Sequence, residues 1–256
     1  MSTTIAISGK GGSGKTTLAA MVIKLLLGQA DSGAILAVDA DPNSCLGAEL
    51  GVEPVGTIAQ IREQTRSKSP STGGTDRLRS FEYGIQQAIT EASGFDLLTM
   101  GRPEGPGCYC AANNMLRTFL DKLSSRYQFV IIDNEAGMEH LSRRTTNNVD
   151  LLCIVAEQTS LGVVTARRIS ELAKQLPISV KEIAVIWNNN RVDVARPNIN
   201  KLEIPHLGCI PYDKEVFNAS MQGKTIFDIE DNNPAFLAVR EIFERKLNLN
   251  RMVVDK

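Results

Sequence analysis

The chain has 256 residues, 43% of them apolar and 22% charged, enough to bury one large core, and its formal net charge of −1 gives no basic excess to suit nucleic acid or an anionic membrane surface. Polar or charged residues interrupt every hydrophobic run and no leader segment stands at the start, so a single cytoplasmic domain over residues 1–256, without a membrane or nucleic-acid partner, is expected. Five cysteines, an odd number with no secretion signal, argue for thiols or metal ligands over disulfides.

The first apolar run, Thr3 to Ser8, reads as a strand, and the amphipathic run from Leu18 to Leu27 reads as a helix. Between them stands Gly9-Lys10-Gly11-Gly12-Ser13-Gly14-Lys15-Thr16-Thr17, which fits the phosphate-loop pattern GxxxxGK[ST] in the strand–loop–helix setting that motif needs. Glycines at 9, 11, 12 and 14 let backbone N–H groups close around phosphate oxygens, Ser13 and Thr17 complete the cradle, and the helix N-terminus adds its positive dipole end. Lys15 is spaced to reach the β- and γ-phosphates, and the Thr16 hydroxyl to ligate Mg²⁺. A second lysine, Lys10, directly follows the first glycine.

With that lysine the loop resembles the deviant Walker A loop of the MinD/ParA/nitrogenase-iron-protein family. The resemblance implies that Lys10 reaches across a homodimer interface to the partner's nucleotide. A second cation delivered in trans stabilises charge on the transferring phosphoryl group, so hydrolysis would be tied to dimer formation.

Farther along, Ala34–Asp39 reads as a buried strand ending in Val38-Asp39-Ala40-Asp41-Pro42, where a carboxylate can orient the attacking water or hold a water on Mg²⁺. Cys45 follows closely, with its role open. Ser67 to Asp76 is linker-like and is expected to be a mobile surface loop. After the strand-like run Asp96–Met100 comes Gly107-Cys108-Tyr109-Cys110. Extended side chains two apart point the same way, so Cys108 and Cys110 can grip one soft ion, although such a pair also suits a redox dithiol. Two thiolates from each protomer of a symmetric dimer would make an S₄ site for Ni²⁺ or Zn²⁺, with an iron–sulfur cluster as the third option.

Phe129–Asp133 reads as a strand leading into Asp133-Asn134-Glu135-Ala136-Gly137, whose DxxxG spacing looks like a Walker B carboxylate with Gly137 as the glycine that follows the γ-phosphate. His140, just beyond, suits either a metal or a structural hydrogen bond, and His206 suits a structural role. Leu151–Ala156 and Ile183–Trp187 are further strands, and Val163–Leu176 and Pro234–Leu247 have helical periodicity. Cys153 and Cys209 lie in apolar runs, as small buried hydrophobes do. Asn188 ends its strand where an amide can read an adenine edge, with Asn189 and Asn190 as alternatives, so ATP is the expected nucleotide. Continuous apolar runs suit a sheet covered on both faces. The expected fold is α/β, a single doubly wound domain with a mostly parallel central sheet and its function at the strands' carboxyl ends.

Several segments together resemble the CooC-type ATPases that insert nickel during maturation of carbon monoxide dehydrogenase. They are Val38 to Gly47, the Cys108–Cys110 pair, Gly137 to Leu141, Ile210-Pro211-Tyr212 and Asn233-Pro234-Ala235-Phe236, and the match runs from about residue 3 to residue 247. The resemblance implies a hydrolytic role for Asp41, adenine contacts at Pro211 and Tyr212, and an intersubunit metal on Cys108 and Cys110. It also implies a client apo-enzyme, either carbon monoxide dehydrogenase or acetyl-CoA synthase. Two relatives in the wider family offer rival readings: a positioning ATPase like MinD or ParA, and an ATP-driven electron donor like the nitrogenase iron protein. Gly137 to Leu141 holds no cysteine for a shared cluster, and the tail from Asn248 lacks a clear apolar face.

Overall fold

The computed structural model describes residues 2–29, 33–67, 83–102, 123, 126–135, 148–176, 178–190 and 202–249. Strand β1 is Thr3–Gly9 and leads into helix α1, Lys15–Leu27. Then come β2 (Ile35–Asp39), the short α2 (Leu46–Glu49) and α3 (Ile58–Ser67). Residues 83–88 are helical, followed by β3 (Thr90–Glu91), β4 (Phe95–Thr99), β5 (Phe129–Asp133) and β6 (Asn148–Glu157). The chain continues through α4 (Ser160–Gln175), β7 (Ser179–Asn190), β8 (His206–Pro211), α5 (Lys214–Met221), a 3₁₀ turn (Ile226–Asp228) and α6 (Pro234–Leu247).

The eight strands form one sheet in the order β3-β4-β2-β5-β1-β6-β7-β8, and every pair is parallel except β3 with β4. From β1 the chain winds to one side through β2 and β4, and after β5 to the other through β6, β7 and β8. The switch point therefore lies beside β1, at the strand ends that carry the phosphate loop.

Strand alternation explains the continuous apolar runs. Ile5, Ile7, Ala37 and Ile131 join α1 and α6 on one face, while Ala6, Leu36, Val38 and Ile132 join Ile58, Ala166 and Ile169 on the other. Side chains such as Phe236, Phe243 and Trp187 are fully buried in these layers, each contributing roughly 1.5–3 kcal/mol by leaving water. The later helices start where capping chemistry dictates. Thr159 Oγ1 accepts from the Gly162 N–H, Asp213 from Glu215 and Val216, and Asn233 from Ala235 and Phe236, with Pro234 in the first turn of α6.

The strands differ from expectation mainly at their ends: the run expected at Asp96–Met100 is Phe95–Thr99, and that at Ile183–Trp187 extends over Ser179–Asn190. Two strands, β3 and β8, carry too little apolar periodicity to be read beforehand. Prolines at 205 and 211 bracket β8, and its register with β7 is broken by irregularities. Cys209 lies on this edge strand and is only half-buried, which corrects its reading as a buried hydrophobe, whereas Cys153 is fully buried on β6 with its thiol pushed up to about 12 by desolvation. Ser67 closes α3, and residues 68–76 of the expected loop lie outside the described residues. No helix among the described residues is long and apolar enough to cross a membrane.

Candidate nucleotide site

The phosphate loop has the geometry its glycines imply. A Cβ on Gly9 would collide with the Val155 carbonyl oxygen of β6, so only glycine lets β1 end there. Gly14 stands at φ +88°, the left-handed region, and a Cβ there would strike the Asn188 side-chain amide. The Ser13 N–H donates to the Lys10 carbonyl at 3.2 Å and closes the loop, while Gly11 and Gly12 are exposed at its crown. Helix α1 then begins with no side-chain cap and no acidic residue in its first turn, which leaves its N–H groups and dipole to an anion.

Lys15 is only 7% exposed, and its Nζ donates to the Lys10 carbonyl at 3.3 Å. Burial lowers its pKa, against the raising effect of Asp133, Asp41 and Glu135. Lys10 is exposed at the loop's mouth. The Thr16 hydroxyl donates to Asp133 Oδ2 at 2.7 Å, and Thr17 Oγ1 to Glu49 Oε1 of α2 at 3.4 Å. Asp133 is 1% exposed, and its Oδ1 is buried without a hydrogen-bond partner. An orphaned carboxylate oxygen beside a threonine hydroxyl fits the hard oxygen donors that Mg²⁺ takes.

Parallel register sets Asp39, at the end of β2, beside Asp133, at the end of β5. Burial pushes Asp39 up to about 7 and Asp133 up to about 6. Both folded-state values lie above the ordinary 3.8, so the native state holds protons that the unfolded chain releases. The contribution of these two groups to stability is therefore full at low pH and is lost as pH rises from about 4 through about 7. Thermal melts of nucleotide-free protein across that range should show the fall, and Asp39→Asn should flatten it. An equal slope in the variant would remove Asp39 as a contributor.

Asp39, completely buried, accepts the Asp41 N–H at 3.2 Å and the Leu46 N–H at 2.9 Å, so it shapes the loop. Asp41 is half-buried, and its Oδ1 accepts from both the N–H and the side-chain amide of Asn43, at 2.8 and 2.9 Å. Cys45 is exposed, and burial together with Asp39, Asp41 and Asp133 pushes its thiol upward, away from the thiolate form that binds metals.

An open cleft of about 700 Å³ runs from Gly12 and Gly14 through Thr17 to Asn188, Asn189, Asn190, Pro211 and Tyr212. The Asn188 amide donates to the Ser13 carbonyl at 2.8 Å, which ties β7 to the phosphate loop. The three asparagines thus share the cleft, and Asn188 is the one bonded to the loop. Sequence reading missed Phe217 of α5, which lines the same cleft with its ring centroid 6.5 Å from that of Tyr212 and 53% of its surface exposed. The sequence held no motif for it, only an aromatic shortly after Tyr212. A smaller cavity of about 200 Å³ lies on the loop's other side, between Lys10–Ser13 and Glu157, Leu161 and Thr165.

The structure thus brings together Gly9 to Thr17, Asp41, Asp133, Asn188, Pro211 and Tyr212 around one end of the sheet. Gly137, His140, Cys108 and Cys110 lie outside the described residues. Among the described residues, no group of three or more His, Cys, Asp or Glu side chains is arranged to hold a metal ion.

The family model of the CobQ/CobB/MinD/ParA nucleotide binding domain matches residues 4–226. An uncharacterized ATP-binding protein of Methanocaldococcus jannaschii is 40% identical over 95% of this chain and 98% of its own. The carbon monoxide dehydrogenase accessory protein CooC of Rhodospirillum rubrum is 34% identical over 88% of this chain and 89% of its own. Among solved structures, the septum site-determining protein MinD of Pyrococcus horikoshii, complexed with Mg-ADP, superposes with a TM-score of 0.72 at 19% identity, with 100% of both chains covered.

Proposed function

This chain belongs to the CobQ/CobB/MinD/ParA nucleotide-binding family, and on that premise we propose that it is an ATPase that matures a metalloenzyme as a homodimer. The observation that carries the reading is the likeness to the carbon monoxide dehydrogenase accessory protein over nearly nine-tenths of both chains. The phosphate loop at the cleft, the Thr16 bond to Asp133, and the charges of Asp133 and Asp41 acting on Lys15 support the ATPase half of it.

In this reading the loop N–H groups and Lys15 bind the β- and γ-phosphates, and Thr16 and Asp133 hold Mg²⁺, which neutralises phosphate charge when bound. Asp41 orients the attacking water, and Asn188, Pro211 and Tyr212 receive the adenine. Lys10 of each protomer reaches the other's nucleotide, so that ATP binds the closed dimer more tightly than the open form and shifts the population toward it. Closure aligns Cys108 and Cys110 with their partner copies around one Ni²⁺ or Zn²⁺ ion. Hydrolysis resets the interface as nickel passes to apo-carbon monoxide dehydrogenase or apo-acetyl-CoA synthase.

The test is anaerobic. Protein loaded with Ni²⁺ and Mg-ATP should activate one of the two apo-enzymes, and a slowly hydrolysed analogue should not support repeated activation. Failure with both clients would reject the maturation role, and a stable [4Fe–4S] spectrum after reconstitution would favour an electron donor instead.

Lys10→Ala carries a separate expectation. The variant should stay folded and bind ATP while losing ATP-driven dimerisation and most turnover. Light scattering with the slowly hydrolysed analogue decides it, because normal dimerisation and hydrolysis would reject the trans lysine.

A further inference from the structure

We infer that Asn43 is a positioning residue for Asp41: its side-chain amide joins its backbone N–H in holding one carboxylate oxygen, which leaves the other to meet the attacking water. The inference rests on the proposed hydrolytic role of Asp41. The loop after β2 is fastened at both ends by one buried carboxylate, since Asp39 accepts the N–H groups of Asp41 and Leu46. The backbone of this stretch is further held by the Ala40 N–H on the Asp133 carbonyl and the Ser44 N–H on the Asp41 carbonyl, each at 2.9 Å. Ser44 sits at φ +54°, a left-handed position that a non-glycine residue adopts at some cost, so the surrounding bonds impose the loop's shape.

Within that frame the Asp41 side chain would still be free to rotate, and Asn43 removes the freedom. Its N–H and Nδ2 both donate to Oδ1, so two donors converge on one oxygen and Oδ2 is left for another partner. The backbone donor alone would make an ordinary turn. The side-chain donor is the added element, and it belongs to an exposed residue with no part in the core. The charge of Asp41 is felt at the buried Lys15 ammonium, which places the held carboxylate within electrostatic reach of the phosphate lysine. A carboxylate pinned through one oxygen presents the other in a fixed direction, and positioning of that kind acts on the chemical step more than on binding.

Asn43→Ala keeps the backbone donor and removes the amide, so kcat should fall about tenfold, the effect of losing one hydrogen bond to a charged group. The equilibrium Kd for ATP should change by less than about twofold, and the melting temperature should be unchanged. Asn43→Asp sets a like charge against Asp41 and should lower kcat further. In an Asp41→Ala background, Asn43→Ala should add nothing, because two residues acting through one carboxylate are not additive.

The outcomes separate the inference from its premise. If Asp41→Ala leaves kcat intact, the premise fails and the Asn43 assignment fails with it. If Asp41→Ala slows turnover while Asn43→Ala does not, or slows it equally in both backgrounds, the premise stands and the Asn43 assignment is overturned. A lowered melting temperature with unchanged kcat would likewise overturn it, since Asn43 would then be only a turn residue.

Discussion

Asp41→Ala protein should bind ATP as tightly as the parent and hydrolyse it roughly 10²–10⁴-fold more slowly, the range lost with a positioned acid–base group. Binding is spared because the cradle is built elsewhere, from the loop N–H groups, Lys15, Thr16 and the cleft that runs to Tyr212. The loop around Asp41 keeps its frame because Asp39 holds backbone N–H groups, which alanine retains. Equilibrium nucleotide binding paired with single-turnover phosphate release measures the two effects separately. Lys15→Ala supplies the contrast, since removing the buried ammonium should weaken ATP binding itself. Unchanged turnover in the Asp41 variant would take that residue out of the mechanism.

The largest effect is expected at the cysteine pair. If Cys108 and Cys110 form half of a shared S₄ site, one substitution removes two of four ligands by symmetry. Structural thiolate sites contribute roughly 10–16 kcal/mol, so either Cys108→Ala or Cys110→Ala should nearly abolish tight Ni²⁺ or Zn²⁺ binding. ATP turnover should survive, because the phosphate site uses other residues. Competition titration against a metal chelator reads the affinity, and full binding by either single variant would reject the bridging arrangement.

How far the sequence leads depends on what kind of signal a residue carries. The phosphate loop was legible because its glycine spacing answers steric and backbone demands, seen in the Gly9 contact with β6 and the left-handed Gly12 and Gly14. The central strands were legible because burial on both faces leaves long apolar runs. Edge strand β8 was not, because half-burial and flanking prolines erase that pattern. Of the two carboxylates where β2 ends, sequence spacing alone gave no way to tell the buried anchor from the half-exposed group. Register does so, because β2 and β5 end side by side and leave Asp39 beneath the loop. Phe217 escaped because its place in the cleft follows from how α5 packs beyond β8, a tertiary fact with no local motif. Asn188 was expected at the end of its strand, but β7 runs on to Asn190, and its bond to the Ser13 carbonyl needs the register of β6 with β7.

The central claim is that ATP closes a dimer around one shared ion. Its most direct test is metal content per protomer, measured on protein saturated with Ni²⁺ and Mg-ATP analogue, separated anaerobically by size, and weighed as the intact complex. The account predicts one ion per dimer, a dimer promoted by metal as well as by nucleotide, and loss of the ion when either cysteine is replaced. One ion per monomer, or a metal-free dimer that forms equally well in the presence of Ni²⁺, would contradict it.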